Sequence, residues 1–114
     1  MYTLVIIDDD IKASENLKQK IESFQASRGC EFEIHIFTSG REYLKEEIQT
    51  DILFLDVEMP QMNGIEIAKE VRKKSQNTAI LFCTNYQQFA INGYEVNAIG
   101  YMVKPISDYS LNLN

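Results

Sequence analysis

The feature of this chain that most limits its fold is an alternation between short apolar runs and longer amphipathic stretches. The strands predicted over Thr3–Asp8 and Ile52–Leu55 contain continuous apolar runs, as strands do when a parallel sheet buries both of their faces. Phe32–Phe37 instead alternates between apolar and polar residues, which is typical of a half-exposed strand at a sheet edge. Two further strands are predicted over Thr78–Cys83 and Ile99–Val103.

Helices are predicted between the strands, because apolar residues recur there at helical spacing. The first predicted helix stops at Gly29, and Thr38 or Ser39 caps the second. A short helix is predicted near Gln87–Tyr94. The inward faces of the first three helices are formed by Ala13, Leu17, Ile21 and Phe24, then by Tyr43, Leu44 and Ile48, and then by Ile65, Ala68 and Val71.

This order of elements predicts an α/β fold in a single domain of 114 residues. Strands joined through helices by right-handed crossovers form a doubly wound, five-stranded parallel sheet with helices on both faces. The last helix is truncated, because Ile106–Asn114 give only about two turns after Pro105. We therefore expect exposed apolar surface there, or a partner that covers it.

The composition excludes several classes of function. The net charge of −6 disfavours nucleic acid as a direct partner, since DNA binding needs basic patches. The basic residues within 66–74 alternate with glutamates, as they do on a solvated helix face. No apolar stretch is long enough to span a membrane, and the start of the chain lacks the basic region of a signal peptide. A cytoplasmic location is therefore expected, with Cys30 and Cys83 as reduced thiols.

Polar residues follow four of the predicted strands. The carboxyl ends of parallel strands meet at one edge of a sheet, where α/β proteins place their sites, so we expect these residues to converge there. They are Asp8, Asp9 and Asp10 after the first strand, Asp56 after the third, Thr84 after the fourth and Lys104 after the fifth. Carboxylates, a hydroxyl and an ammonium group together predict a Mg²⁺ site that handles a phosphoryl group.

Each of these residue types has chemistry that suits such a site. Asp56 is an isolated carboxylate after an apolar strand, and an aspartate can attack phosphorus to form an acyl phosphate. Asp8 and Asp9 offer the hard oxygen ligands that Mg²⁺ prefers, whereas Asp10 is better placed to cap the first helix. Lys104 would neutralise charge on the transferred group.

Three segments carry a resemblance to a known family. Ile6–Asp10, Leu55–Gly64 and Tyr101–Pro105 resemble the receiver domain of bacterial two-component response regulators, and the resemblance covers essentially the whole chain. Thr84–Ala90 and Tyr94–Tyr101 are similar to receivers that precede LytTR-type DNA-binding domains, the AgrA-like regulators. The resemblance implies a flavodoxin-like strand order of 2-1-3-4-5 and a receiver over residues 1–114, with its output domain absent from this chain.

The resemblance also implies a role for each matching residue. Asp56 would accept the phosphoryl group from a sensor histidine kinase, and Thr84 and Lys104 would hold its oxygens. Tyr101 would be an aromatic switch whose ring turns inward as Thr84 moves towards the phosphate. The implied Mg²⁺ ligands are Asp9 directly, Asp8 mostly through water, Asp56, and the backbone carbonyl of Glu58.

A receiver of this kind is a regulatory switch and not an ordinary enzyme, although it catalyses its own phosphorylation and dephosphorylation. The resemblance implies that it forms a homodimer on activation and contacts DNA only through a missing C-terminal output domain. Two departures from the family pattern stand beside the site, of which Glu58 would alter the lifetime of the phosphate and Asn85 would narrow access to it. Glu58 places an extra carboxyl group beside the site, and Asn85 stands where a smaller residue is common.

Three alternatives share parts of this pattern. A stand-alone receiver would pass phosphate onward or bind a target protein with the same site chemistry. An aspartyl-phosphate phosphohydrolase needs a second acid two residues after its nucleophile, and Glu58 has that offset from Asp56, but this chain has no insertion to bind a substrate. A flavodoxin shares the fold only by analogy, and the aspartates after the first strand would repel its phosphate.

Overall fold

The chain forms one parallel sheet with helices on both faces. The computed structural model describes residues 2–29, 31–57, 59, 62–84, 98 and 100–103, and only the backbone of residues 84 and 101–103. The strands are β1 (Tyr2–Ile7), β2 (Phe32–Phe37), β3 (Ile52–Leu55), β4 (Ala79–Thr84) and β5 (Gly100–Val103), and the described helices are α1 (Ile11–Arg28), α2 (Gly40–Glu46) and α3 (Gly64–Lys74). The helices predicted near Gln87–Tyr94 and after Pro105 lie outside these residues.

The five strands are parallel and lie in the order β2-β1-β3-β4-β5. This arrangement confirms the predicted doubly wound sheet and the predicted edge position of β2. It also confirms that β3 lies at the centre, where Leu53 and Leu55 are fully buried. The chain therefore brings the ends of β1 and β3 together, although more than forty residues separate them in sequence.

Alternate residues of each strand point to opposite faces, and the core accordingly has two layers. On one face, Val5 and Ile7 of β1 pack in a cluster with Tyr43 of α2 and Ile67 of α3. On the other face, the remaining apolar residues of β1 pack against Leu17 of α1 and its neighbours. The sheet is thus covered on both sides, as its apolar strands require. None of the described helices combines the length and apolar character needed to cross a bilayer.

The ends of α1 follow from local chemistry, as predicted. The Asp10 side chain accepts hydrogen bonds from the backbone N–H groups of Lys12 and Ala13, at 3.0 and 3.4 Å. Gly29 ends the helix with a left-handed φ of 71°, which only glycine adopts without strain. Ser39 caps α2, accepting from the N–H of Glu42.

One predicted core residue was wrong and another core residue was missed. α2 ends at Glu46, and Glu47 adopts a left-handed φ of 50°, so Ile48 lies beyond the helix and is only partly buried. In α3, Ile65 packs against the core as predicted, although it is only partly buried, and Ile67, which was not predicted, is fully buried. A glutamate rarely stops a helix in this way, so the end of α2 has no local signal in the residues around it.

Hydroxyl groups close the amino-terminal edge of the sheet. Tyr43 Oη and Thr50 Oγ1 share a hydrogen bond of 2.6 Å, and Thr78 Oγ1 donates to the carbonyl of Thr50 at 2.8 Å. Arg72 Nη1 donates to the carbonyl of Thr78 at 2.7 Å. Burial raises the pKa of the Tyr43 phenol, and the hydrogen bond with Thr50 partly offsets that rise. These contacts fix the starts of β3 and β4 relative to each other.

Candidate metal centre

The register of β1 and β3 places two aspartates side by side. Ile7 is the register partner of Leu55, and each of these residues is followed by an aspartate. The backbone N–H of Asp56 donates to the carbonyl of Ile7 at 3.0 Å, and the N–H of Asp8 donates to the carbonyl of Phe37 at 3.1 Å. Both aspartates are therefore held by sheet hydrogen bonds at the point where their strands end.

Three carboxyl groups form a cluster at this edge. One carboxylate oxygen from each of Asp8, Asp9 and Asp56 lies within 4.8 Å of the others. Asp8 is 5% exposed and Asp56 is 7% exposed, while Asp9 is open to solvent. Carboxylates this close repel one another unless a cation lies among them. Hard oxygen donors on one side and solvent on the other suit a Mg²⁺ ion, which keeps several of its waters.

Asp10, the third acid of the run, has a different position. It is not part of the cluster, and its side chain caps α1 as described above. Its backbone N–H donates to Oδ1 of Asp8 at 2.9 Å, which fixes the orientation of the Asp8 carboxyl group. The cap and the cluster are thus joined through the backbone of one tight turn.

The start of α3 lies directly against the backbone of Asp56. The N–H of Gly64 donates to the carbonyl of Val57 at 2.9 Å, and a Cβ atom at Gly64 would overlap the carbonyl oxygen of Asp56. Asn63 and Glu66 form a reciprocal capping box that fixes this first turn. Gly64 was not among the predicted site residues, although a glycine directly after a capping asparagine is a signal for close backbone approach.

A cleft of about 550 Å³ opens beside the cluster, between α1 and the sheet. Asp8 and Asp56 line one end, and Lys12 and Lys20 of α1 line its side. Cys83 lies at its base as a buried, reduced thiol, which agrees with the prediction for that residue, whereas Cys30 lies outside the described residues. The carboxyl groups are thus accessible from one side to a group with oxygen atoms of its own.

The other predicted site residues are placed only in part. Thr84 is the last residue of β4, and its register partner is Val103 of β5, so its backbone lies at the same carboxyl edge. Tyr101 is placed by its backbone alone, as the register partner of Phe82. The side chains of Thr84 and Tyr101, and the whole of Glu58 and Lys104, lie outside what the structure describes. The roles of these four residues stay predictions.

Curated proteins similar to this chain include regulators about twice its length. It is 30% identical over 110 residues to the positive alginate biosynthesis regulatory protein of Pseudomonas aeruginosa, covering 95% of this chain and 43% of that protein. It is 34% identical over 111 residues to the sensory transduction protein LytT of Bacillus cereus, covering 95% of this chain and 43% of that protein. These relatives are consistent with the predicted similarity to LytTR-type receivers.

The solved structures that resemble the chain have the same fold. The response regulator TrrA of Thermotoga maritima, solved in complex with Mg²⁺ and a beryllium fluoride, superposes with a TM-score of 0.82 at 28% identity, covering 99% of this chain and 95% of that one. Residues 4–113 match the family described as the response regulator receiver domain. With this match and an acidic cluster at the carboxyl edge of a 2-1-3-4-5 sheet, the chain belongs to the response regulator receiver family.

Proposed function

We propose that this chain is a Mg²⁺-dependent phosphoryl acceptor in which a sensor histidine kinase donates to Asp56. The observation that carries the proposal is the cluster of Asp8, Asp9 and Asp56, whose carboxylate oxygens lie within 4.8 Å of one another beside an open cleft. The similarity of the chain to a regulator solved with Mg²⁺ and a beryllium fluoride supports the choice of Mg²⁺ as the metal and of a phosphoryl group as the ligand class.

In this proposal each residue of the candidate site has a distinct part in the phosphoryl transfer. An oxygen of Asp56 bonds to phosphorus while the phosphorus–nitrogen bond of the donor histidine breaks and the imidazole leaves with the electron pair. Thr84 and Lys104 hold the phosphoryl oxygens. Mg²⁺, when bound, would offset the negative charge of those oxygens. The residues that would hold the ion are Asp8, Asp9, Asp56 and, through its backbone carbonyl, Glu58.

The phosphorylated chain would then act as a switch in gene regulation. Thr84 would move towards the new phosphoryl group and the ring of Tyr101 would turn inward, which favours one of two packings of nearly equal energy. The chain covers 43% of the length of the regulators it matches, which supports a LytTR-type DNA-binding domain beyond residue 114. Homodimer formation on activation is part of the same proposal.

A stand-alone receiver is the second candidate. The chain covers 94% of the solved chain of the Vibrio cholerae chemotaxis protein CheY4, at 28% identity, so a receiver of this size is known without a second domain in the same structure. The reading frame beyond Asn114 distinguishes the two candidates. A basic domain encoded there supports the transcriptional regulator, and a stop codon supports the stand-alone receiver.

The acceptor chemistry is tested by intact mass after treatment with acetyl phosphate. We expect the parent chain to gain one phosphoryl group with Mg²⁺ and essentially none with EDTA, and the D56N variant to gain none. D51N is the matched control, because Asp51 is exposed at the opposite edge, where its Oδ2 accepts from the N–H of Thr3 at 2.8 Å. Labelling of D56N equal to that of the parent would refute Asp56 as the acceptor.

A further inference from the structure

The outer edge of β2 has no partner strand among the described residues, since β2 is the first strand in the sheet order. Its inner edge is identified by two hydrogen bonds. Tyr2 N–H donates to the carbonyl of Glu31 and Asp8 N–H donates to the carbonyl of Phe37. Because backbone groups alternate sides along a strand, the even-numbered residues turn their N–H and C=O groups outward. These outward residues are Phe32, Ile34 and Ile36.

The side chains of β2 are arranged in two rows on opposite faces. Phe32, Ile34 and Ile36 form an apolar row that is only partly buried against the α1 face of the sheet. Glu33 and His35 lie on the other face, where His35 Nε2 and Glu33 Oε1 are 3.2 Å apart. The side chain of Glu33 is 57% exposed and that of His35 is 36% exposed. Within the described residues, this edge therefore combines backbone groups that have no partner strand with an apolar row, a carboxylate and an imidazole.

We propose that this edge pairs with β2 of a second copy, antiparallel, about a two-fold axis that passes through Ile34. In this register Ile34 lies opposite its own copy, and Phe32 lies opposite Ile36, so all three outward residues meet outward residues and their backbone groups form hydrogen bonds. Glu33 then lies opposite His35 of the partner copy. A symmetric pair of strands contains that contact twice.

The side chains of Glu33 and His35 select this register over its neighbours. Outward residues lie opposite outward residues only if the two-fold axis passes through a residue, which permits axes at Glu33, Ile34 or His35. An axis at Glu33 sets two carboxylates against each other, and like charges directly opposite are destabilising. An axis at His35 sets two imidazoles together and leaves Glu33 opposite Phe37. Of these three axes, only the one at Ile34 places a complementary side chain of the second copy opposite Glu33.

The same pattern favours a second copy over an unrelated extended peptide. A two-fold axis requires the sequence to be complementary to its own reverse, and Phe32–Ile36 satisfies this requirement with apolar residues opposite apolar ones and glutamate opposite histidine. A strand of six residues buries little surface, so the association is weak and transient. The carboxyl edge that carries Asp56 stays accessible in both copies.

The test uses two oppositely charged variants in sedimentation equilibrium, over roughly 10 μM to 1 mM because small interfaces are weak. H35E places acids at both charged positions, and E33K/H35K places lysines there. We expect each variant alone to self-associate about tenfold more weakly than the parent, since both cross-strand pairs become repulsive. Mixed in equal amounts, they should form a heterodimer at least as tight as the parent homodimer, because every pair is then complementary.

Two further variants serve as controls. E22K changes an exposed charge on α1 and should self-associate like the parent. D56N should do so too, and this separates the inference from the acceptor chemistry. A parent chain that stays monomeric up to millimolar concentration would overturn the proposal and leave the edge for another protein's strand. It would equally be overturned if H35E associated as well as the parent, or if the mixed variants formed no heterodimer.

Discussion

Asp8 and Asp56 are nearly buried carboxyl groups whose oxygens lie within 4.8 Å of each other and of an oxygen of Asp9. At the scale of single residues this arrangement is unfavourable in the absence of a cation. Two unit charges about 5 Å apart near a protein surface repel by roughly 1–3 kcal/mol, depending on the effective dielectric. The metal-free chain is therefore less stable than its packing alone would make it.

Asp9→Asn should stabilise the chain in EDTA while removing most of its response to Mg²⁺. Loss of one charge relieves repulsion of about 1 kcal/mol, and loss of a ligand weakens metal binding. Thermal unfolding with and without Mg²⁺ measures both effects. The prediction is wrong if the variant unfolds like the parent in EDTA and gains the same increase in Tm from Mg²⁺.

Asp10→Ala is the matched control for that measurement, because it removes a neighbouring carboxylate that only caps α1. We expect a loss of about 1 kcal/mol in the free energy of unfolding and an unchanged response to Mg²⁺. Asp10→Ser, which retains a capping oxygen, should recover most of that stability. A lost Mg²⁺ response in Asp10→Ala would show that Asp10 is a ligand after all.

The buried phenol of Tyr43 makes the stability of the chain depend on pH in the alkaline range. Burial raises the pKa of its phenol above the usual value of 10.0, so the folded state binds the proton more tightly than the unfolded state. The resulting stability is fully present below pH 10 and is lost as the pH rises through the raised pKa. Tm measured from pH 8 to 11 should therefore fall less steeply in Tyr43→Phe than in the parent chain.

Tyr2→Phe is the control for the alkaline measurement, because Tyr2 is 60% exposed and should leave the pH profile unchanged. At neutral pH, Tyr43→Phe should lose about 1 kcal/mol, since the hydrogen bond with Thr50 is removed. Identical alkaline profiles for the parent chain and Tyr43→Phe would contradict the assignment.

At the scale of elements, the contact between α3 and the end of β3 connects packing to the site. α3 begins so close to the backbone of Asp56 that a Cβ atom at Gly64 would overlap its carbonyl oxygen. The capping box of Asn63 and Glu66 fixes the direction of the helix from that point. Asp56 and Gly64, which stand on either side of Glu58 in the sequence, are therefore held close together.

Gly64→Ala should reduce both stability and the Mg²⁺ response, because α3 can accommodate the new methyl group only by moving away from Asp56. We expect a loss of about 2 kcal/mol or more, with a weaker increase in Tm on adding Mg²⁺. Gly29→Ala is the control: its surroundings are open, and its left-handed backbone costs about 1 kcal/mol with alanine. A full Mg²⁺ response in Gly64→Ala would show that the contact does not position the site.

Elements whose signal is local were predictable from the sequence. β2 has the predicted bounds. Asp10 and Ser39 cap the starts of α1 and α2, and Gly29 ends α1, as predicted, since capping depends on a few neighbouring residues. The end of α2 was not predictable, because the exposed Glu47 takes a left-handed conformation that no local sequence signal indicates. Ile67 was missed because α3 has isoleucines at 65 and 67, and only the contacts of the helix with the sheet decide which of the two is more deeply buried.

The candidate site also has features that were predictable from the sequence and features that were not. The convergence of Asp8, Asp9 and Asp56 was predictable, because parallel strands that end in acids must bring them to one edge. The close contact of Gly64 with Asp56 was not, since it depends on the path of the loop between them. Sequence spacing gives the edge of the sheet at which a residue lies, and it does not give the distance between two backbones.

At the scale of the whole molecule, the strand order predicts a gradient of local stability. Both edges of β3 are paired and Leu53 is fully buried, whereas the outward N–H of Ile34 on β2 has no strand beside it in the part of the chain that the structure describes. Native-state hydrogen exchange at low protein concentration should show the Leu53 amide exchanging at least about 100-fold more slowly than the Ile34 amide. Equal protection of the two amides would contradict the described order.

The hydroxyl contacts at the amino-terminal edge have a mechanical consequence for the opposite edge. β4 is tied down where it starts, by Thr78 Oγ1 on the carbonyl of Thr50 and by the N–H of Ala79 on the carbonyl of Asp51 at 2.9 Å. The far end of the same strand is Thr84. A displacement of Thr84 would therefore change the direction of the carboxyl end of β4, while the start of the strand near Thr78, about six residues away, stays in place. Without the contacts at Thr78, the whole strand would shift along its own axis instead.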